Sequence, residues 1–164
     1  MDCVGDNIKR LCSFYANEWH LSVMLLPYVN EQINKDVKIT TILKDEAEEN
    51  INILVKKLNL KNAQKILDLN WKKNNINKFE TIEKELNDLL NNNDVTIIIN
   101  GDEKYIENAN KLLNKYLLKN NKNNKIIKII DCYDIAKLEN DMDNIIYKYD
   151  AILNTSGEKN VIDF

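Results

Sequence analysis

The sequence predicts an α/β fold: a three-layer, doubly wound, mainly parallel sheet of about six strands with helices on both faces. Three observations predict it. Short apolar runs rich in Ile and Val alternate with longer stretches of helical spacing, and parallel neighbours require such crossovers. The run 96–99 (TIII) is continuous, as in a central strand buried on both sides. Polar linkers at 91–94 and 120–124 stand where a helix stops and the next strand begins.

The elements follow in order. Residues 8–15 (IKRLCSFY) read as the first strand and 20–34 as a helix packed on it, in which Pro27 removes an N–H and predicts a kink or a break. Strand 37–43 (VKITTIL) leads to helix 46–58, where Ile51, Leu54, Val55 and Leu58 recur at three and four. The acid run 45–49 (DEAEE) opens that helix as a solvated first turn favoured by the helix dipole. Residues 64–71 (QKILDLNW) read as a third strand, although 63–69 also suits a helix. Helix 78–90 carries Ile82, Leu86, Leu89 and Leu90 on one stripe, and strand 95–100 (VTIIIN) follows. In helix 104–118, Tyr105, Leu112, Leu113, Tyr116 and Leu117 read either as packing on the sheet or as the face of a homodimer. Strand 125–131 (KIIKIID), helix 138–148 and strand 149–154 (YDAILN) complete the alternation, and 154–164 reads as a tail, loose from Gly157 onward.

A chain of 164 residues, 44% hydrophobic and 30% charged, suits a single domain over 1–164 with a real core. Its net charge of -3, with both signs interspersed, offers no footprint for nucleic acid or an anionic membrane. No apolar run approaches the roughly 18–20 residues that span a bilayer, and residues 1–10 lack the apolar core of a secretory signal, so a cytoplasmic location is expected. Cys3, Cys12 and Cys132 are odd in number and lack CxxC spacing, which argues against a disulfide framework and a thiolate zinc site.

The first strand should lead into a phosphate-binding loop in a fold of this build, with small residues that let backbone N–H groups wrap the anion and a lysine to meet its charge. Ala16-Asn17-Glu18-Trp19 stands there instead, with no glycine and no lysine. Ligands of open α/β sheets bind outside the carboxyl ends of the strands, near the point where strand order reverses. That rule places Tyr15, Asn17, Glu18, Trp19, His20, Asn70, Trp71, Lys72, Asn100, Gly101, Asp102, Glu103, Asp131, Cys132, Tyr133 and Asp134 on an aromatic, amide-rich rim with several acids, of which Tyr15, Trp19, His20, Trp71, Asn100, Asp131, Cys132 and Tyr133 are nominated to bind a small, largely apolar molecule. Each has a plainer reading. His20 is a proton-transfer group or a partly exposed structural residue; Trp19 and Trp71 stack on a ligand or close the core. Cys132 is a reactive thiolate or an inert buried thiol, and Cys12 reads as a small hydrophobe. Asp102 and Asp134 read as helix N-caps. Asp131 ends an apolar strand where an ATPase holds magnesium, a role without a substrate once the phosphate loop is gone. No catalytic residue, metal or cofactor is expected.

Four stretches, in order, carry a resemblance: 5–15 (GDNIKRLCSFY), 25–43 (LLPYVNEQINKDVKITTIL), 66–75 (ILDLNWKKNN) and 129–154, which contains Cys132-Tyr133-Asp134. The chain resembles the methanogen/methylotroph sensory (MEDS) domain family, which is RecA-like and lacks a Walker A loop. Arg10 stands where the family pattern places histidine, and Lys35-Asp36 replaces its glycine-rich turn before the second strand. The resemblance implies a RecA-like, non-enzymatic sensor that binds a small organic molecule and relays occupancy to an output module; here that output lies with a signalling or regulatory protein in trans or with self-association. The rivals are a degenerate nucleotide-binding protein or ATPase-like enzyme using Asp131, Asp102 and Glu103, and a pure interaction module.

Overall fold

The strand that opens the chain, β1 (Ile8–Tyr15), lies inside the sheet and not at its edge. The computed structural model describes residues 7–74, 76–120 and 125–161. Cys3, the Gly5-Asp6 start of the first family-like stretch, Asn75, most of the linker 120–124 and the end of the tail lie outside the described residues. With β2 (Lys38–Leu43), β3 (Val95–Gly101), β4 (Ile127–Asp134), β5 (Ala151–Asn154) and β6 (Gly157–Asn160), the order across the sheet is β2-β3-β4-β1-β5-β6. Every neighbouring pair is parallel except β5 and β6, so the α/β class and the mainly parallel six-stranded sheet stand as expected.

Alternating side chains of these strands feed two separate cores, as the two-residue period of a strand dictates. Leu11, Ile98 and Ile130 pack with α1 (Glu18–Asn34), α2 (Glu48–Leu58) and α3 (Ala63–Leu67). Cys12, Ile97, Ile99 and Ile129 pack with α4 (Phe79–Leu90), α5 (Glu103–Asn120) and α6 (Met142–Ile146). The stripe on α5 is mostly core: Leu113, Tyr116 and Leu117 are buried, and only Leu112 of those named is exposed.

Five expectations are corrected. Residues 64–71 are not a strand: α3 occupies Ala63–Leu67, and the chain then runs past the outer edge of β2. There the Asn74 N–H donates to Leu43 O at 2.7 Å, the Leu43 N–H donates to Asn74 Oδ1 at 3.1 Å, and the Thr41 hydroxyl donates to Asn70 O. An apolar segment that covers an exposed edge reads locally like a strand, because both need buried side chains at close spacing. The sixth strand comes instead from the supposed tail, where Gly157, at φ +103, closes a two-residue hairpin loop after Asn154. The helix over 138–148 shrinks to a 3-10 turn at Ile135–Lys137 and the short α6. Strand β4 runs three residues past Asp131, which places Cys132 and Tyr133 inside the sheet. Helix α1 runs unbroken through Pro27, and the turn after it is made by Asp36 at φ +60 in place of a glycine.

The chain leaves β3 at Gly101 with φ +148, and a Cβ there would stand 3.0 Å from Cδ1 of Tyr105 and 3.1 Å from Cβ of Lys44. Gly101→Ala should therefore destabilise the protein by about 1–3 kcal/mol, through a backbone angle that L side chains avoid. Urea unfolding checks this, and an unchanged midpoint would show that the turn relaxes.

Candidate functional site

From β1 the chain crosses to the β2 edge, and from β4 it crosses to β5 on the other side, so strand order reverses between these two central neighbours. Tyr15 and Asp134 are paired in register at their carboxyl ends. An open cavity of about 430 Å³ lies there, lined by Tyr15, Asn17, Glu18, Trp19, Asp45, Asp134 and Lys137.

The turn beneath it is closed on itself. Asn17 caps α1, its Oδ1 accepting the His20 N–H at 2.8 Å, while the Ala16 N–H donates to His20 Nδ1 at 3.0 Å. Two backbone donors that would face a phosphate are thereby already used. Three carboxylates, Glu18, Asp45 and Asp134, line the cavity against one ammonium, Lys137, so the local field opposes an anion.

Asp45 owes its place to two buried partners. The Tyr15 hydroxyl donates to Asp45 Oδ2 at 3.0 Å; burial, then the Asp45 charge, raises that phenol far above its ordinary range. Asn100 Oδ1 accepts the Lys44 and Asp45 N–H groups at 2.9 and 3.1 Å, and its Nδ2 donates to Asp45 O at 3.0 Å. Asp134 Oδ1 caps the following 3-10 turn through the Ala136 N–H at 3.0 Å, and the Lys137 ammonium lies 3.7 Å from its Oδ2. Trp19 is 41% exposed, with the Lys57 ammonium 5.9 Å from its ring centroid.

Of the eight nominated residues, Tyr15 and Trp19 line this cavity, His20 braces its floor, and Asn100 holds the Asp45 loop from inside the sheet. The other four are elsewhere. Trp71 is buried in the α1–α3 core and donates its Nε1–H to Ile66 O at 2.8 Å. Cys132 is in the same core, where burial, and then the Asp131 charge, pushes its thiol well above the ordinary value, the opposite of a reactive thiolate. Tyr133 stacks on Phe14 in the other core, ring centroids 5.6 Å apart. Trp71 and Tyr133 thus lie in opposite cores, and the cleft itself keeps Tyr15 and Trp19 among acidic side chains. Asp45 and Lys137 were missed, and Asp45 had a signal: it follows the second strand, whose carboxyl end obeys the same rule as the others.

The carboxylates of the ATPase-like alternative have separate partners. Asp102 caps α5 through the Tyr105 N–H at 2.8 Å and pairs with Lys44 at 2.5 Å, a bond that outweighs its burial and lowers its carboxyl below the ordinary value. Glu103 accepts the Glu139 N–H at 2.8 Å and the Asn140 amide at 3.2 Å. Among the described residues no three His, Cys, Asp or Glu side chains are grouped to hold a metal, and no helix is long and apolar enough to cross a membrane.

Asp131 lies mid-strand among Cys12 and Arg10 of β1, Asn110 of α5, Tyr133 and Tyr149. Its Oδ2 accepts the Asn110 amide at 2.9 Å and the Tyr149 hydroxyl at 2.5 Å; its buried Oδ1 has no partner among the described residues. Because the Tyr149 proton goes to Asp131, Tyr133 donates to the Tyr149 oxygen, 2.5 Å away. Burial pushes the Asp131 carboxyl from 3.8 up to about 6, against the pull of Tyr149, Asn110 and Arg10. A raised acid is held protonated longer by the folded state, so the stability it contributes is full below its unfolded value and is lost as pH rises through about 6. Asp131→Asn, isosteric and uncharged, should raise stability above pH ~7 by about 2–3 kcal/mol and change little near pH ~4 in urea titrations. Equal destabilisation at both ends would show that the group is not strained by its charge. No known family model matches the chain, and none of the curated proteins matches it.

Proposed function

We propose that this chain is a non-enzymatic sensor domain of the cytoplasm, built on the three-layer RecA-like frame that its MEDS resemblance implies. It binds a small neutral or cationic organic molecule at the carboxyl ends of β1 and β4 and passes occupancy to a separate signalling or regulatory protein. One observation carries the reading: the β1–α1 turn commits the Ala16 and His20 N–H groups to His20 Nδ1 and Asn17 Oδ1, beneath a cleft lined by Glu18, Asp45 and Asp134. Phosphate positioning is most of nucleotide chemistry, and such a cleft repels phosphate. The Trp19 ring beside those acids suits an organic body with a positive or polar head.

A molecule lodged there touches three connections at once: the start of α1, the loop after β2 and the turn after β4. If it binds one arrangement of these segments better than another, it shifts their populations, and a few kcal/mol of differential affinity suffice.

Native mass spectrometry of protein purified from cells should detect a retained small molecule. Trp19→Ala and Asp45→Asn should each weaken its rebinding by about tenfold or more, roughly 1.4 kcal/mol. ATP with magnesium should leave the thermal midpoint unmoved. Unchanged affinity in both variants refutes this cleft, and a midpoint raised by ATP favours the nucleotide reading.

A further inference from the structure

A second polar cavity lies on the α1 side of the sheet, lined by Lys35 and Lys128 as well as Glu31 and Glu158. Lys9 of β1 and Lys128 of β4 are paired in register, two residues before Leu11 and Ile130, so both face the α1 core. Both ammonium groups converge on one carboxylate, that of Glu158 in β6. Lys9 meets its Oε1, Lys128 lies 3.2 Å from its Oε2, and the Tyr28 hydroxyl of α1 donates to the same Oε2 at 3.2 Å. Burial alone would raise the Glu158 carboxyl, but the two lysines hold it below its ordinary value, so it stays charged. Among the described residues one positive charge of the cluster is left without a counter-charge, because Glu31, the next acid along α1, pairs with Lys35 at 3.1 Å.

Beside this cluster a cavity of about 460 Å³ opens between α1 and the β5–β6 hairpin. That is within the range of small-molecule sites, ~300–1,000 Å³. Lys128 lies toward the amino ends of the strands. The apolar Met24, Pro27 and Leu153 follow, and the hairpin loop with Asn154 and Ser156 stands toward the carboxyl ends. Lys128 is three-quarters buried, which strengthens its field, and it donates to Glu158 and Tyr28, leaving a third N–H of the ammonium for a ligand.

We propose that this cavity binds a small organic acid, its carboxylate on Lys128 and its hydrocarbon body against Met24, Pro27 and Leu153. The site is distinct from the cleft over β1 and β4, shares no lining residue with it, and has the opposite charge preference. A chain carrying both could read an acid and a neutral or cationic compound independently.

The full chain is titrated calorimetrically with hexanoate, hexanamide and hexylammonium, and hexanoate binding is mapped by backbone amide shifts. Hexanoate should bind about tenfold or more tighter than hexanamide, hexylammonium should not bind there, and the shifts should centre on residues 153–158. Lys128→Met should weaken hexanoate by about tenfold or more, while Trp19→Ala leaves it unchanged. Equal binding of acid and amide, or saturable binding of none of the three, overturns the proposal. Shifts centred on residues 15–19 and 45 overturn this site and leave the carboxyl-end cleft standing. The shift map uses the unaltered chain, so a variant that fails to fold does not decide the matter.

Discussion

The parallel pairing of β1 with β4 over eight residues is the constraint on which the rest of the structure depends. Both strands are buried on both faces through their middles, at Leu11 to Tyr15 in β1 and at Ile129 to Tyr133 in β4, so apolar packing on two sides holds the register. That single register distributes the chemistry. It sets Lys9 beside Lys128 at one end, Cys12 beside Asp131 in the middle and Tyr15 beside Asp134 at the other end. A slip of one residue would send each of these side chains to the opposite face and drive charge into a core.

Two buried polar residues show how differently the interior treats the same kind of group. Asn100 makes three bonds to the backbone of the Lys44-Asp45 loop, so its burial is compensated and the loop is fixed. Among the described residues Asp131 has partners on one oxygen only, and an orphaned buried acceptor costs about 1–3 kcal/mol. Its remaining bonds tie β4 to α5 and, through Tyr149, to the segment that follows α6. The first residue carries the cleft by holding Asp45. The second knits the opposite core and stores a titratable charge there.

Charge also separates the two cavities. The carboxyl-end cleft gathers acids over a turn with two of its N–H donors already used, whereas the α1–hairpin cavity is lined by Glu31, Lys35, Lys128 and Glu158, with Lys9 meeting Glu158 beside it. Neither polarity is visible in a net charge of -3 with both signs interspersed. In each case the groups arrive from separate elements: α1, the β2 loop and the turn after β4 for the first; β1, β4, α1 and β6 for the second.

The α/β class, five of the six strands, the long helices and the absence of a glycine–lysine loop after β1 were legible from periodicity and residue type, because these depend on neighbours in the chain. So were the caps at Asp102 and Asp134, since a cap is a local bond. What lay beyond the sequence was long-range. Residues 64–71 have the composition of a strand, and only contact with the β2 edge decides that α3 and an edge cover form there. Trp71, Cys132 and Tyr133 sit where a rim was expected, yet β4 continues past Asp131 and packing draws them inward. The sequence by itself determined which residues alternate and which loop refuses a phosphate. The tertiary structure alone decided which rings enter the cores, which acids face the cleft and which lysines meet, because those outcomes depend on strand order and register across more than a hundred residues of chain.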